Sequence, residues 1–271
     1  MIIISNDNSI IIYNKTKYKP DLIIKEHKGN VWYIAQLSSG ILAICSSDNT
    51  IKLFNIKGNN YNILQTLNYH TDSVYKIIEL KNKYLVSCSY DKSIIFYLKD
   101  NNKYKKDFQI STNGPCYCIS EIKENEICYS EVINDDYNNN NICFYNINER
   151  KIKSSISNIS KMDISPFIVS KELLFIPGKN KISIKNINFY ELIREIEIRN
   201  SSWIQGACML NDNIILTGDD NSIIREWKIE GDNLILISKK ENAHEGGILT
   251  LLNMGNGFIA SGPYDTLIKI W

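Results

Sequence analysis

Three histidines occur in the 271-residue chain, and each stands 21 residues before an aspartate: His27 before Asp48, His70 before Asp91, His244 before Asp265. Six residues past each acid comes an aromatic, Phe54, Tyr97 or Trp271, and Ser87 and Ser261 lie four residues before the second and third acids. A hydroxyl, an imidazole and a carboxylate are the raw material of nucleophilic catalysis, with the imidazole taking the hydroxyl proton and the acid orienting the imidazole. An active site needs that constellation once. Three copies at one spacing instead mark a structural unit that repeats. A buried carboxylate must be paired, and an imidazole N–H supplies a charge-assisted partner, so losing one member should cost about 1–3 kcal/mol. All three histidines are therefore assigned to structure, and the chain is not expected to be an enzyme.

The elements that carry these residues are strands. In the stretch from His70 onward, "SVYKIIEL", "KYLVSCS", "SIIFYL" and "YKKDFQI" are short apolar or alternating runs separated by turns rich in Asn, Asp, Lys and Gly. That is a strand pattern, and no stretch carries a helical period. Aligning "SNDNSIIIYN", "SSDNTIKLFNI", "SYDKSIIFYL" and "PYDTLIKIW" with the weaker "NNNNICFYNI", "GKNKISIKNI" and "DDNSIIREWKI" puts the closing position at Tyr13, Phe54, Tyr97, Tyr145, Lys185, Trp227 and Trp271. Four strands in a repeat of about 40–45 residues is the signature of a β-propeller blade.

These residues resemble the WD-repeat family over the whole chain, most specifically in repeats two, three and seven. The resemblance implies an all-β, seven-bladed β-propeller of four-stranded blades, forming a single domain over residues 1–271. It also implies the role of the recurring set: the histidine enters the innermost strand and bonds the aspartate between the second and third strands, and the serine and aromatic complete the network. The matching sets are His70, Ser87, Asp91, Tyr97 and His244, Ser261, Asp265, Trp271. The set His27, Asp48, Phe54 has Ile44 in place of the hydroxyl, and repeat six keeps Thr217 and Trp227 but has Asn221 in the aspartate position. Strand counting leaves the first and last blades one strand short each. Two explanations stay open: the sequence is a slice of a longer protein, or a partner chain donates strands.

Partners of this family touch the residues flanking the first apolar position of the inner strand and the residue before the aspartate. Here those positions include Trp32, Tyr75, Tyr90, Tyr117, Trp203, Gln205, Asp220 and Tyr264. Six of the eight are aromatic, a composition that interface hot spots use. The expected partner is a protein or peptide. No arginine or lysine occupies these positions, which argues against a phosphopeptide. A methylated-lysine cage, with Asp220 or Glu245 as its carboxylate, is a minor alternative.

Composition narrows the remaining classes. The net charge is +1, and the lysine groups at 15–19, 103–106, 151–153 and 239–240 fall in outer strands, where they protect edges from pairing, so nucleic acid is not an expected partner. No apolar run approaches the roughly 18 residues of a membrane span. The seven cysteines lack metal-ligand spacing and suit reduced packing residues in the cytoplasm or nucleus. Neither a phosphate loop nor a serine elbow nor a zinc helix is present, so no cofactor, metal or small-molecule substrate is expected. The Asn-rich insertion at 134–141 has the composition of a mobile loop.

Overall fold

A computed structural model describes residues 2–6, 8–13, 20–133, 136–159, 168–255, 257–263 and 268–271. Among them there are 26 strands and no helix. The strands form antiparallel sheets, each built from strands consecutive in sequence.

The chain divides into two compact units, residues 1–136 with 141–155, and residues 137–140 with 156–271. In the first, sheet one holds β1 (Ile2–Asn6), β2 (Ser9–Tyr13) and β3 (Pro20–Ile24). Sheet two holds β4 (Val31–Gln36), β5 (Leu42–Ser46), β6 (Ile51–Lys57) and β7 (Asn60–Leu67). Sheet three holds β8 (Val74–Glu79), β9 (Leu85–Ser89), β10 (Ser93–Asp100) and β11 (Lys103–Ser111). Sheet four holds β12 (Cys116–Lys123), β13 (Glu126–Ile133), β14 (Asp136–Asn146) and β15 (Lys151–Ile159). In the second unit, sheet five holds β16 (Ile168–Ser170), β17 (Leu173–Pro177), β18 (Lys181–Asn186) and β19 (Leu192–Glu197). Sheet six holds β20 (Ile204–Asn211), β21 (Ile214–Asp219), β22 (Ile224–Glu230) and β23 (Asn233–Lys240). Sheet seven holds β24 (Ile248–Gly255), β25 (Phe258–Pro263) and β26 (Lys269–Ile270).

The four-stranded repeat is the expected one, but the expectation of seven such blades is corrected. The 26 strands are enough for six full blades and short of the 28 that seven require, because the first and last sheets have three strands each. The insertion reading is corrected as well. Residues 136–140 extend β14 as strand, and Asn140 is buried. The hairpin has room for this because β13 is itself eight residues long. Residues 134 and 135 lie outside the described residues, as do 15–19 of the first lysine group.

Burial follows strand position. The second strands β5 (LAICS) and β9 (LVSCS) are buried at every residue, which is why their sequences do not alternate. The outer strands β7 and β11 are mostly exposed and carry polar residues and lysines. Each core cluster is shared by consecutive sheets. Leu53 and Leu67 of sheet two pack with Ile77 and Tyr97 of sheet three, and Phe96 of sheet three packs with Ile127 and Tyr129 of sheet four. In the second unit Phe175 of sheet five packs with Trp227 of sheet six. Each such side chain contributes about 1.5–3 kcal/mol by leaving water.

Candidate functional site: hydrogen-bonded carboxylates and an aromatic row

Sheet three contains the fullest form of the recurring set. The His70 ring is buried at the entrance to β8, and its Nδ1 donates to Asp91 Oδ2 at 2.8 Å. Its Nε2 accepts from Ser87 Oγ at 2.7 Å, and Ser87 accepts in turn from the Tyr97 hydroxyl at 3.0 Å. Asp91 also accepts from the Thr71 amide at 2.9 Å and from Ser93 Oγ at 2.6 Å. Burial alone would raise the Asp91 carboxyl, but the bonds from His70 and Ser93 outweigh it and hold the pKa at about 2. The carboxylate is thus permanently ionised at neutral pH. Ser87, whose hydroxyl a nucleophilic reading would need, is fully buried with its hydrogen bonds taken by the ring and the phenol. The arrangement ties a turn to a strand entrance and leaves no reactive group open to a substrate.

Sheet two has the same acid–imidazole pair without the hydroxyl. His27 Nδ1 lies 2.9 Å from Asp48, which also accepts from the Lys28 amide at 2.8 Å and Thr50 Oγ1 at 2.6 Å. Asp48 is likewise lowered to about 2, because bonds from Thr50, Lys28 and His27 overcome the effect of burial. With Ile44 filling the serine position, His27 Nε2 is buried without a partner, and burial lowers the pKa of the ring. In sheet seven His244 Nε2 accepts from Ser261 at 2.6 Å, and Trp271 Nε1 donates to the same oxygen at 2.8 Å. Asp265 lies outside the described residues.

Two further buried carboxylates, absent from the sequence reading, take over where the histidine is missing. The first inner-strand residue pairs with Ser46 in sheet two and with Ser89 in sheet three. The corresponding partner is Glu131 in sheet four and Asp219 in sheet six. The acid has moved two residues upstream, into the serine's place. Asp219 accepts from Ser201 Oγ at 3.0 Å, from the amides of Asn221 and Ile223 at 3.1 and 3.0 Å, and from Arg225 Nη1. Arg225 occupies the place of Lys52 in sheet two and reaches the Asn200 carbonyl at 3.2 Å. Glu131 accepts from the amide and side chain of Asn113 at 3.0 and 2.9 Å. The loop between them is tight: a Cβ on Gly114 would sit 1.5 Å from the Val132 carbonyl oxygen.

The candidate binding residues share a backbone cause. The register of β4, β8, β12 and β20 slips by one residue near the start of each, between Val31 and Tyr33, Val74 and Lys76, Cys116 and Ile119, and Ile204 and Gly206. Trp32, Tyr75, Tyr117 and Gln205 lie in these gaps. A bulge re-aims the extra side chain away from the sheet face. In the first unit the result is an aromatic row across three consecutive sheets. Ring centroids lie 5.4 Å apart from Trp32 to Tyr75 and 4.5 Å from Tyr75 to Tyr117. Tyr90, from the turn after β9, joins at 6.5 Å from Tyr75 and 6.2 Å from Tyr117. Trp32 is 46% exposed, and the three tyrosines are half-buried.

The remaining candidates are in the second unit. Gln205 donates to Asp220 at 2.7 Å, and Lys179 lies over the Trp203 ring at 5.1 Å. Burial raises the Asp220 carboxyl, Gln205 partly offsets this, and the charge of Asp219 adds to it. Tyr264 lies outside the described residues. Among the described residues no cluster of His, Cys, Asp and Glu is arranged to hold a metal.

Together the sheets and their hydrogen-bonded turns define a repeat protein of the propeller class. A mitotic checkpoint complex crystal structure contains a chain that superposes with a TM-score of 0.83 over 99% of this chain and 82% of its own, at 12% identity. That likeness shows the fold, an all-β propeller of four-stranded blades. The model of the WD domain, G-beta repeat, matches residues 18–55 and 61–97, so WD40 repeats are found in that part of the chain, around sheets two and three. The chain also resembles Protein transport protein SEC13 of Yarrowia lipolytica, at 35% identity over 76 residues, and that of Debaryomyces hansenii, at 46% over 54 residues. The alignments cover 27% and 18% of this chain and 26% and 18% of those relatives.

Proposed function

We propose that the protein is a non-catalytic interaction scaffold, its two units working as one domain, that receives a protein or peptide partner on the aromatic row of Trp32, Tyr75, Tyr90 and Tyr117. The observation that carries this reading is the row itself: four rings from three consecutive sheets, centred on Tyr75, with the exposed Trp32 at one end. Rings with a polar edge on a rigid backbone bind with little loss of conformational entropy, which is why Trp and Tyr dominate hot spots. The WD40 repeats and the SEC13 relatives support a place in a protein complex, and seven free cysteines suit a reducing cytoplasm or nucleus. Trp203, Gln205, Asp220 and Tyr264 are proposed as a secondary contact. The test is affinity capture from the source cell with wild type, Trp32→Ala, Tyr117→Ala and Trp203→Ala. The first two should lose the partner by about 2 kcal/mol or more while folding normally. Capture of the same partners at equal affinity by all four proteins would refute the site.

A second reading is favoured by the three-stranded first and last sheets, where a partner could add strands by backbone pairing. It predicts hydrogen-exchange protection in β1–β3 and β24–β26 on complex formation, with Trp32→Ala having no effect.

A further inference from the structure

The inner strands carry a second line of residues immediately after the aromatic row: Tyr33 in β4, Lys76 in β8 and Cys118 in β12. Lys76 is the anomaly among them. Only 9% of the residue is exposed, and among the described residues it has no carboxylate partner. The contacts of its amine are the Cys118 sulfur at 3.5 Å and the Tyr33 ring, whose centroid is 5.4 Å away. Cys118 is 2% exposed, and its amide is bonded to Ser130 Oγ at 3.2 Å, which fixes the strand beneath the thiol. A buried ammonium without an opposite charge is costly, and the cost falls when the amine is neutral or is bonded to its neighbour.

We propose that Lys76 and Cys118 form an oxidant-driven covalent cross-link between sheets three and four, a redox staple beneath the aromatic row. The co-reactant is a peroxide. The Cys118 sulfur attacks one peroxide oxygen and the O–O bond breaks; sulfur loses two electrons and becomes S–OH, while the other oxygen leaves as water with the thiol proton. Lys76 Nζ, whose pKa burial would lower but the neighbouring Cys118 and Tyr33 hold above that of an ordinary lysine, first gives its ammonium proton to solvent, and its lone pair then attacks that sulfur. An S–N bond forms, the S–O bond breaks, and hydroxide leaves as water with a proton from the nitrogen. The balance is one thiol, one amine and one H2O2 giving one sulfenamide and two H2O. Two equivalents of an external thiol reverse it, restoring amine and thiol and yielding one disulfide.

The staple matters because its ends adjoin the row. Lys76 follows Tyr75 and Cys118 follows Tyr117, the closest ring pair at 4.5 Å. Drawing nitrogen and sulfur to bonding distance must shift those backbones and therefore the ring spacing. This regulatory consequence rests on the proposed partner site, whereas the bond itself does not.

The experiment treats the full chain with hydrogen peroxide, digests it without reductant, and sequences the peptides by mass spectrometry. The expected product joins the peptides containing residues 76 and 118, lighter than their sum by two hydrogens. Dithiothreitol should reverse it, and both Lys76→Met and Cys118→Ser should abolish it. Recovery of Cys118 as free thiol under conditions that oxidise the less buried Cys208, as a sulfinate, or as a disulfide with another cysteine would overturn the proposal. The wild-type product decides this even if a variant folds poorly. Partner affinity is then measured with and without peroxide. A change in wild type that Lys76→Met lacks supports the regulatory role, and a cross-link without such a change ends that role. Equal binding by Trp32→Ala and wild type would end the site reading and leave the bond standing.

Discussion

Sheets three and six solve one problem with different residues. In sheet three His70, Ser93 and the Thr71 amide bond Asp91, which projects from the turn after β9, while Ser87 and Tyr97 hold the far side of the imidazole. In sheet six the acid is Asp219, two residues earlier and fully buried, and its counter-charge is Arg225 from the next strand. Both tie the second-to-third-strand turn to the chain entering the inner strand. The comparison teaches that this junction can be built on a charged, hydrogen-bonded carboxylate without a histidine. It also sets an order of fragility, because a buried pair of two full charges strands a charge when one member is lost, whereas Asp91 is paired with an imidazole and keeps slight exposure.

The largest effect should therefore follow Arg225→Met. Asp219 would keep its backbone amides and Ser201 but lose its counter-charge while remaining buried, a change that costs about 3–5 kcal/mol. Urea denaturation of wild type and variant measures it. Replacing both members, as in Asp219→Leu/Arg225→Met, should recover much of the loss, since an apolar pair leaves no stranded charge. A single variant within 1 kcal/mol of wild type would show that sheet six does not depend on the pair as argued.

This contrast also explains what the sequence could disclose. The His–Asp sets were legible because their spacing never varies, and a fixed spacing survives in a string of letters. Asp219 was hidden by its own neighbours: in "TGDDNSIIREW" the aligned position falls on Asn221, and nothing in the letters says which acid is buried. The readable signal was Arg225 in phase with Trp227 and Ile229 on the buried face of its strand, a cation that demands an inward partner. Glu131 was hidden by the insertion that follows it, which shifts the register of repeat four. The aromatic candidates were recognisable as positions, but their convergence was not, because the bulges that aim Trp32, Tyr75 and Tyr117 together are backbone events with no residue signature. The blade count failed because seven aligned turn-and-strand segments do not guarantee seven complete sheets.

A smaller effect should come from Asp91→Asn, with a pH dependence that identifies it. The folded pKa of Asp91, about 2, lies below the 3.8 of an unperturbed aspartate. Its contribution is therefore fully present above pH 3.8 and lost as pH falls from there through about 2, where the folded carboxylate also protonates. The loss at neutral pH should be about 1–3 kcal/mol. Asp48 titrates in the same window, so Asp91→Asn should flatten the acid limb of stability against pH only in part. An unchanged limb, measured by denaturation at several pH values, would contradict the assignment of Asp91 as the ionised acceptor.

The smallest effect isolates the hydroxyl. Ser87→Ala would leave His70 Nε2 as His27 Nε2 already is, buried beside an apolar side chain. Sheet two is built around that deficit, with Ile44 filling the volume, so the hydroxyl is useful to the junction and not essential to it. The expected cost is about 1 kcal/mol, the net worth of a hydrogen bond between neutral groups, with a small addition for the stranded Tyr97 hydroxyl. Ser87→Ala should therefore fall well below Asp91→Asn in a denaturation series. A cost equal to or above that of Asp91→Asn would reverse the ranking and place the strength of the junction in the serine–tyrosine arm, leaving the carboxylate as the lesser partner.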